Sequence, residues 1–504
     1  MISKFGSFLI IILFFGSHLM VLAQSSNKTD SSEAQAEKSV TKHSVKIESK
    51  LINYTATAGT LVLKNEKDEP IALFGFIAYV KDLETDVTKR PITFAYNGGP
   101  GWSSMWLHMG ALGPRIVVTY DPGLTPPAPY KTVDNELSIL DVTDLVMIDP
   151  VGTGLSRPIG KATAKDFWGV DQDIKSISQF IKQYTTANER WNSPKFLLGE
   201  SYGTTRSAGV ANYLYENMGM EVNGMILISS VLDLHTLNYR DDLSFELILP
   251  TYAAVAWYHH KIPNTATGLD SFLDEVRKFA GGDYATGLQK GDQLSVTEID
   301  HIIDKLSVYT GISKDYWSKA NLRVSPEQFR TELLRNEHEL IGRVDARYEG
   351  IDPDLLSESH REDPYMDQIS PAYTSSFLNY FYTELKVNKN LSYKTNANDA
   401  EGFKWDWGRT KNGNNSGRFI VNTGEDLATL MTKNPNVKVL VLNGYYDLAT
   451  PFFATEYTFD HLGLEKKLKK NITMKYFEAG HMMYVNPASF VQFKKSISDF
   501  ILGK

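Results

Sequence analysis

The chain has 504 residues, 42% of them hydrophobic and 12% aromatic, with a formal charge of −8, 36 glycines and no cysteine. That length supplies ample core and, at about 150 residues per domain, admits up to three domains, although large α/β enzymes exceed that span as single units. The acidic balance argues against a basic nucleic-acid surface, and the missing cysteines exclude disulfides, thiolate metal sites, cysteine-bound iron–sulfur clusters and a cysteine nucleophile.

At the start, Lys4 precedes an apolar run, Phe8–Phe15, and a small-residue ending, Val21-Leu-Ala23. This order reads as a secretory signal peptide over residues 1–23, the alternative being an uncleaved anchor at the lower length limit for a membrane span. No later stretch is apolar enough to cross a bilayer, so no stable membrane insertion is expected after cleavage. An exported chain without disulfides fits a bacterial envelope, periplasmic or secreted. Residues 24–44 are rich in Ser, Glu, Lys and Ala without an apolar period and read as a disordered spacer.

Three alternating segments follow, near Ser44–Tyr54, Gly59–Lys64 and Ile71–Val80, and period-2 patterning between turn residues predicts antiparallel strands. Short β-rich runs then recur at Ile92–Tyr96, Leu145–Ile148, Phe196–Leu198, Met225–Ile228, Val437–Leu442 and Ile472–Phe477. Helical stripes lie between and after them. Val170, Ile174, Ile177, Ile181 and Tyr184 mark one, and Phe490, Phe493, Ile497, Phe500 and Ile501 mark a terminal one. Alternating strand and helix predicts an α/β fold with a mixed, mostly parallel sheet flanked by helices. From 234 to 430 the rhythm stops, and helix-like patterns such as Thr297–Leu306 and Pro326–Asn336 predict a large helical insertion, a cap. The expected organisation is therefore core over 45–233, cap over 234–430 and core again over 431–504.

Gly199-Glu200-Ser201-Tyr202-Gly203 fits G-x-S-x-G, the strained turn that lifts a serine above a sheet. The string is weak alone, but an apolar strand precedes it and a helix pattern, Thr204–Asn217, follows. A serine hydroxyl needs a base, and the base needs an orienting acid, in the chain order Ser, Asp or Glu, His. Asp447 stands just after the strand Val437–Leu442. Of the two later histidines, His461 falls in a helix-like stretch, whereas His481 follows the strand Ile472–Phe477 directly. The expected triad is Ser201, Asp447 and His481. The tetrahedral intermediate needs two backbone donors, which the amide of Tyr202 and the Gly-rich loop Asn97–Gly101 would supply. No cofactor is expected. The His259-His260 pair has poor geometry for chelation, so no metal site is expected either.

The set Asn97–Ser104, Asp149–Ser156, Gly199–Gly203 and Gly480-His-Met482 resembles the serine carboxypeptidase family over about residues 92–487. The resemblance implies an α/β-hydrolase that removes C-terminal residues from peptides. It places the oxyanion donors at Gly99 and Tyr202, and gives Asn97 and Glu200 the substrate's terminal carboxylate. The family's second acid, which pairs with this glutamate, corresponds here to Ala111. Its usual cysteine in the Gly-rich motif is replaced by Trp102. Arg115, four residues beyond Ala111, is a candidate for the missing carboxylate contact or else a structural ion-pair residue. Two further readings keep the site: an esterase or acyltransferase on the same triad, or a catalytically silent binding protein of hydrolase fold.

Overall fold

The computed structural model describes residues 36–83, 86–263, 268–398, 400–409 and 420–504. The signal-peptide reading for 1–23 and residues 24–35 of the expected spacer lie outside the described residues. In chain order the strands are β1 (Lys38–Ile47), β2 (Lys50–Lys64), β3 (Pro70–Lys81), β4 (Ile92–Tyr96), β5 (Arg115–Val117), β6 (Thr132–Asp134) and β7 (Asp144–Ile148). They continue with β8 (Arg157–Pro158), β9 (Lys195–Glu200), β10 (Gly224–Ile228), β11 (Glu339–Ile341), β12 (Glu349–Ile351), β13 (Lys438–Gly444) and β14 (Ile472–Phe477).

One sheet runs β1-β2-β3-β7-β4-β9-β10-β13-β14, with β8 added beside β3. Pairings from β1 through β3 to β7 are antiparallel, and all those from β7 to β14 are parallel. The inner parallel strands β7, β4, β9, β10 and β13 are buried on both sides because alternate residues feed two cores, whereas β14 at the sheet edge is half-buried. Phe196, Leu198, Ile226, Ile228, Leu440 and Leu442 face one, while Leu197, Met225, Leu227, Val439 and Val441 face the other. This is why those strands read as continuous apolar runs.

The antiparallel end departs from the sequence expectation in two places. Strand β1 begins at Lys38, inside the stretch read as spacer. Its alternation is mostly polar, because its first residues lie at the sheet edge and are held by ladder hydrogen bonds to β2 rather than by burial. Strand β2 runs without a break through Gly59, where a turn was expected. A Cβ there would stand 2.1 Å from the Glu37 carbonyl oxygen, so the glycine marks a close backbone approach within a strand.

Between β10 and β13 the chain is mainly helical, with Asp242–Tyr258, Leu269–Phe279, Val296–Thr310 and Pro364–Thr383 as its longest elements. The third of these starts on a capping box, with Ser295 and Glu298 satisfying each other's backbone amides. Leu249, Val255, Phe272, Leu306, Trp317 and Phe329 form a third core, to which Tyr446 and Phe452 contribute from just beyond β13. Helix Pro364–Thr383 instead packs on the sheet's own core, where Tyr373 lies against Trp106 at 4.9 Å between ring centroids. Ion pairs and packing do the work of absent disulfides. Buried Arg347 bridges Asp345 and Asp121 at 2.6 Å each, tying this region to the loop after β5.

Candidate active site

Ser201 stands between β9 and the helix Tyr202–Met218, with φ 60° and ψ −130°. For a residue with a Cβ this conformation is strained by roughly 1–3 kcal/mol, and such strain recurs at functional turns. Two bonds hold it: the Ser201 amide donates to the Ile228 carbonyl at 2.9 Å, and the Ser201 carbonyl accepts from the Thr204 amide at 2.8 Å.

His481 follows β14 and is buried. Its Nδ1 lies 2.7 Å from Oδ2 of Asp447, which follows β13. Asp447 is itself fixed by the amides of Ala449 (2.8 Å) and Thr450 (3.0 Å) on Oδ1 and by the Thr450 hydroxyl (2.6 Å) on Oδ2. Burial disfavours the imidazolium, but the charge and hydrogen bond of Asp447 outweigh it, and the His481 pKa is raised. The backbone of His481 is pinned on both sides, its amide donating to Val344 O and its carbonyl accepting from Ser229 Oγ. Next to it, the Gly480 amide donates to Asp345. The other histidine, His461, is exposed and stacks on Tyr457.

Ser201 and His481 line one cavity of about 430 Å³, together with Asn97, Gly98, Gly99, Glu200 and Tyr202. The Gly-rich loop comes close to the elbow. A Cβ on Gly98 would lie 2.5 Å from the Tyr202 nitrogen, and Gly99 has φ 110°, a region that favours glycine. Neither the Gly99 nor the Tyr202 amide donates to a described residue, so both remain available to a ligand oxygen. Behind the loop, fully buried Arg206 donates to the Asn97 carbonyl at 2.6 Å and pairs with Asp173 at 2.7 Å. Removing one member of such a buried pair costs about 3–5 kcal/mol.

Asn97 and Glu200 meet at the cavity wall, where Asn97 Nδ2 donates to Glu200 Oε1 at 2.6 Å. The Leu107 amide donates to Asn97 Oδ1, which fixes the orientation of that amide. Burial pushes the Glu200 carboxyl up to about 7, against the opposing pull of His481, Tyr484 and Asn97. Tyr484 was not singled out from the sequence. Its hydroxyl donates to Glu200 Oε2 at 2.7 Å, and its ring fills the space a Cβ on Gly110 would need. A neutral phenol thus partners Glu200. Ala111 is buried one residue further along this turn and does not line the cavity. The signal available for Tyr484 was its place three residues after His481.

Arg115 lies elsewhere. It sits on β5, paired with Asp134 at 2.6 Å and Glu384 at 3.2 Å, and is not among the cavity's lining residues. Trp102 does line the cavity, edge-on to Trp106. The Asp149–Ser156 motif supports the site from behind. Asp149 accepts from the Ser104 amide (2.8 Å) and the Tyr393 hydroxyl (3.1 Å), bracing the end of the Gly-rich segment. From the segment between β10 and β13, Leu234, Leu237, Arg343, Val344, Met366 and Trp407 also line the wall. Sequence reasoning could place these only in the insertion. Among the described residues no group of His, Asp and Glu is arranged to hold a metal ion, and no helix is long and apolar enough to cross a membrane.

A carboxypeptidase Y homolog from Arthroderma benhamiae is 28% identical over 213 residues, covering 39% of this chain and 38% of the relative. The chain therefore aligns with little more than a third of that relative's length. Among solved structures, KEX1(DELTA)P, a prohormone-processing carboxypeptidase from Saccharomyces cerevisiae, superposes with a TM-score of 0.55 at 17% identity, covering 89% of this chain and 91% of that one. That likeness establishes an α/β-hydrolase fold. The sequence profile described as serine carboxypeptidase matches residues 52–495, most of the chain, and the protein belongs to that family.

Proposed function

We propose that this protein is an exported serine carboxypeptidase that releases C-terminal residues from peptides through an acyl-enzyme. The observation that carries the reading is one cavity containing Ser201, the Asp447-oriented His481, and a buried carboxyl, Glu200, poised near neutrality beside them. Ser201 Oγ attacks the last peptide carbonyl and His481 Nε2 takes its proton. Asp447 holds the ring with Nδ1–H donated, and stabilises the imidazolium. The amides of Gly99 and Tyr202 receive the oxyanion. The C–N bond breaks as His481 returns the proton to the leaving amine. Water then attacks the ester with His481 again as base, regenerating the Ser201 hydroxyl and freeing the shortened peptide.

The terminal carboxylate is assigned to Asn97 and Glu200. Two carboxylates repel unless one is protonated, and a Glu200 pKa of about 7 keeps its proton through mildly acidic pH. Export rests on the signal-like residues 1–23. The test is Ser201→Ala with peptide trimming read by mass spectrometry, comparing free C-termini with C-terminal amides. Loss of trimming in the variant and poor cleavage of amides are expected. Trimming that survives the substitution would sink the triad, and equal cleavage of acids and amides would remove the carboxylate site.

A further inference from the structure

Arg343 stands apart from the other charged groups of the cavity. Glu200 is taken by Asn97 and Tyr484, and His481 by Asp447. Asp363, the remaining carboxylate on the wall, accepts the amides of Arg343, Val344 and Tyr365 at 3.2–3.3 Å and so pins the loop and the start of helix Pro364–Thr383. Arg343 contributes only its backbone to that arrangement. Its amide goes to Asp363 and its carbonyl accepts from Leu448, while no carboxylate among the described residues lies within ion-pair distance of its guanidinium. The residue is exposed and lines the cavity.

Its surroundings are otherwise largely apolar, including Leu234, Leu237, Val344, Met366 and Trp407. The residue reaches both solvent and cavity, and guanidinium is shaped to grip a carboxylate through two parallel hydrogen bonds. Arg343 is one residue from Val344, whose carbonyl holds the His481 amide, so it stands beside the base. Its charge acts on Asp363, on His481 and on Tyr239. Asn97 and Glu200 line the same cavity from the ends of β4 and β9, where they are hydrogen-bonded to each other. An anion at Arg343 would be a second one, beside the terminal carboxylate assigned to that pair.

We infer that Arg343 is a specificity-determining residue that receives an acidic side chain, glutamate or aspartate, on a substrate residue flanking the scissile bond. The inference rests on the carboxypeptidase reading and deepens it. The experiment compares N-blocked peptides that differ only by glutamate, glutamine or lysine at the last or the penultimate position. The full chain is assayed as wild type, Arg343→Gln, Arg343→Lys and Arg343→Glu. Wild type is expected to favour glutamate at one of the two positions by roughly tenfold in kcat/KM, the scale of a hydrogen bond to a charged group. Arg343→Gln should bring that ratio near one, Arg343→Lys should keep part of it, and Arg343→Glu should turn the preference toward lysine.

A wild-type ratio near one at both positions overturns the inference. So does a loss in Arg343→Gln that is equal for all free-acid peptides and absent for their amides, which would assign the terminal carboxylate to Arg343 instead. Calorimetric binding of the same peptides to Ser201→Ala, alone and combined with Arg343→Gln, separates the two readings. If wild type cleaves no peptide but the glutamate preference in binding depends on Arg343, the hydrolase reading fails and only the contact of Arg343 with an acidic side chain stands. If peptides are cleaved without the preference, only this one fails.

Discussion

Replacing Glu200 by Gln tests the electrostatics of the site most directly. The carboxyl is buried and lifted from 4.5 to about 7, mainly because burial disfavours its charge. The folded state therefore holds a proton that the unfolded chain releases near 4.5. Stability from this group is full below pH 4.5 and is lost as pH rises through 7. At 1.36 kcal/mol per pH unit across that interval, ionised Glu200 costs the fold about 3 kcal/mol. The variant should gain up to that amount over wild type at pH 8 and almost nothing at pH 4, read from urea midpoints at both pH values. A Gln can accept from Asn97 Nδ2 through its oxygen and donate to the Tyr484 hydroxyl through its nitrogen, so neither contact need be lost. Kinetics supply the second reading. For peptides with a free C-terminus, wild-type KM should climb above pH 7 as Glu200 ionises, and the variant's KM should not. Tyr484→Phe deletes a donor to the ionised form and should move the KM rise to higher pH. A stability difference between Glu200→Gln and wild type that stays flat from pH 4 to pH 8 would refute the argument.

Asp447→Asn keeps the volume but can leave the imidazole in the wrong tautomer, and a loss of roughly 10⁴ in kcat with a near-native thermal midpoint is expected; a loss below tenfold would remove Asp447 from the triad. Gly98→Ala places a methyl 2.5 Å from the Tyr202 nitrogen and 2.7 Å from the Glu200 carbonyl oxygen, both backbone atoms that cannot swing aside. The loop must retreat from the elbow, and kcat should fall by roughly 10²–10³, the cost of losing one oxyanion donor. Unchanged turnover would mean that the loop does not form the oxyanion site.

The chain's own pattern determined the parallel half of the sheet and the two strand ends that carry Asp447 and His481. All but the edge strand β14 are buried on both faces, so their apolar runs are unmistakable, and the elbow's glycines sit where backbone crowds backbone. The first half of strand β1, Lys38–His43, was illegible because an edge strand can be held by ladder bonds with little apolar signal in its side chains, and the expected segment Ser44–Tyr54 ran through the turn that separates β1 from β2. Only tertiary structure could decide which groups face the cavity. Tyr484, three residues after the base, becomes the partner of Glu200 because the turn at Gly110 leaves room for its ring. Arg115, suggestive in sequence, is drawn to Asp134 and Glu384 on a separate strand pair. Arg343, silent in sequence, is carried to the base by a loop whose amides are pinned on Asp363. Local pattern fixes which atoms lie in strands and turns, because it depends on neighbours in the chain. The lining of a cavity depends on residues hundreds of positions apart, and only their packing brings them together.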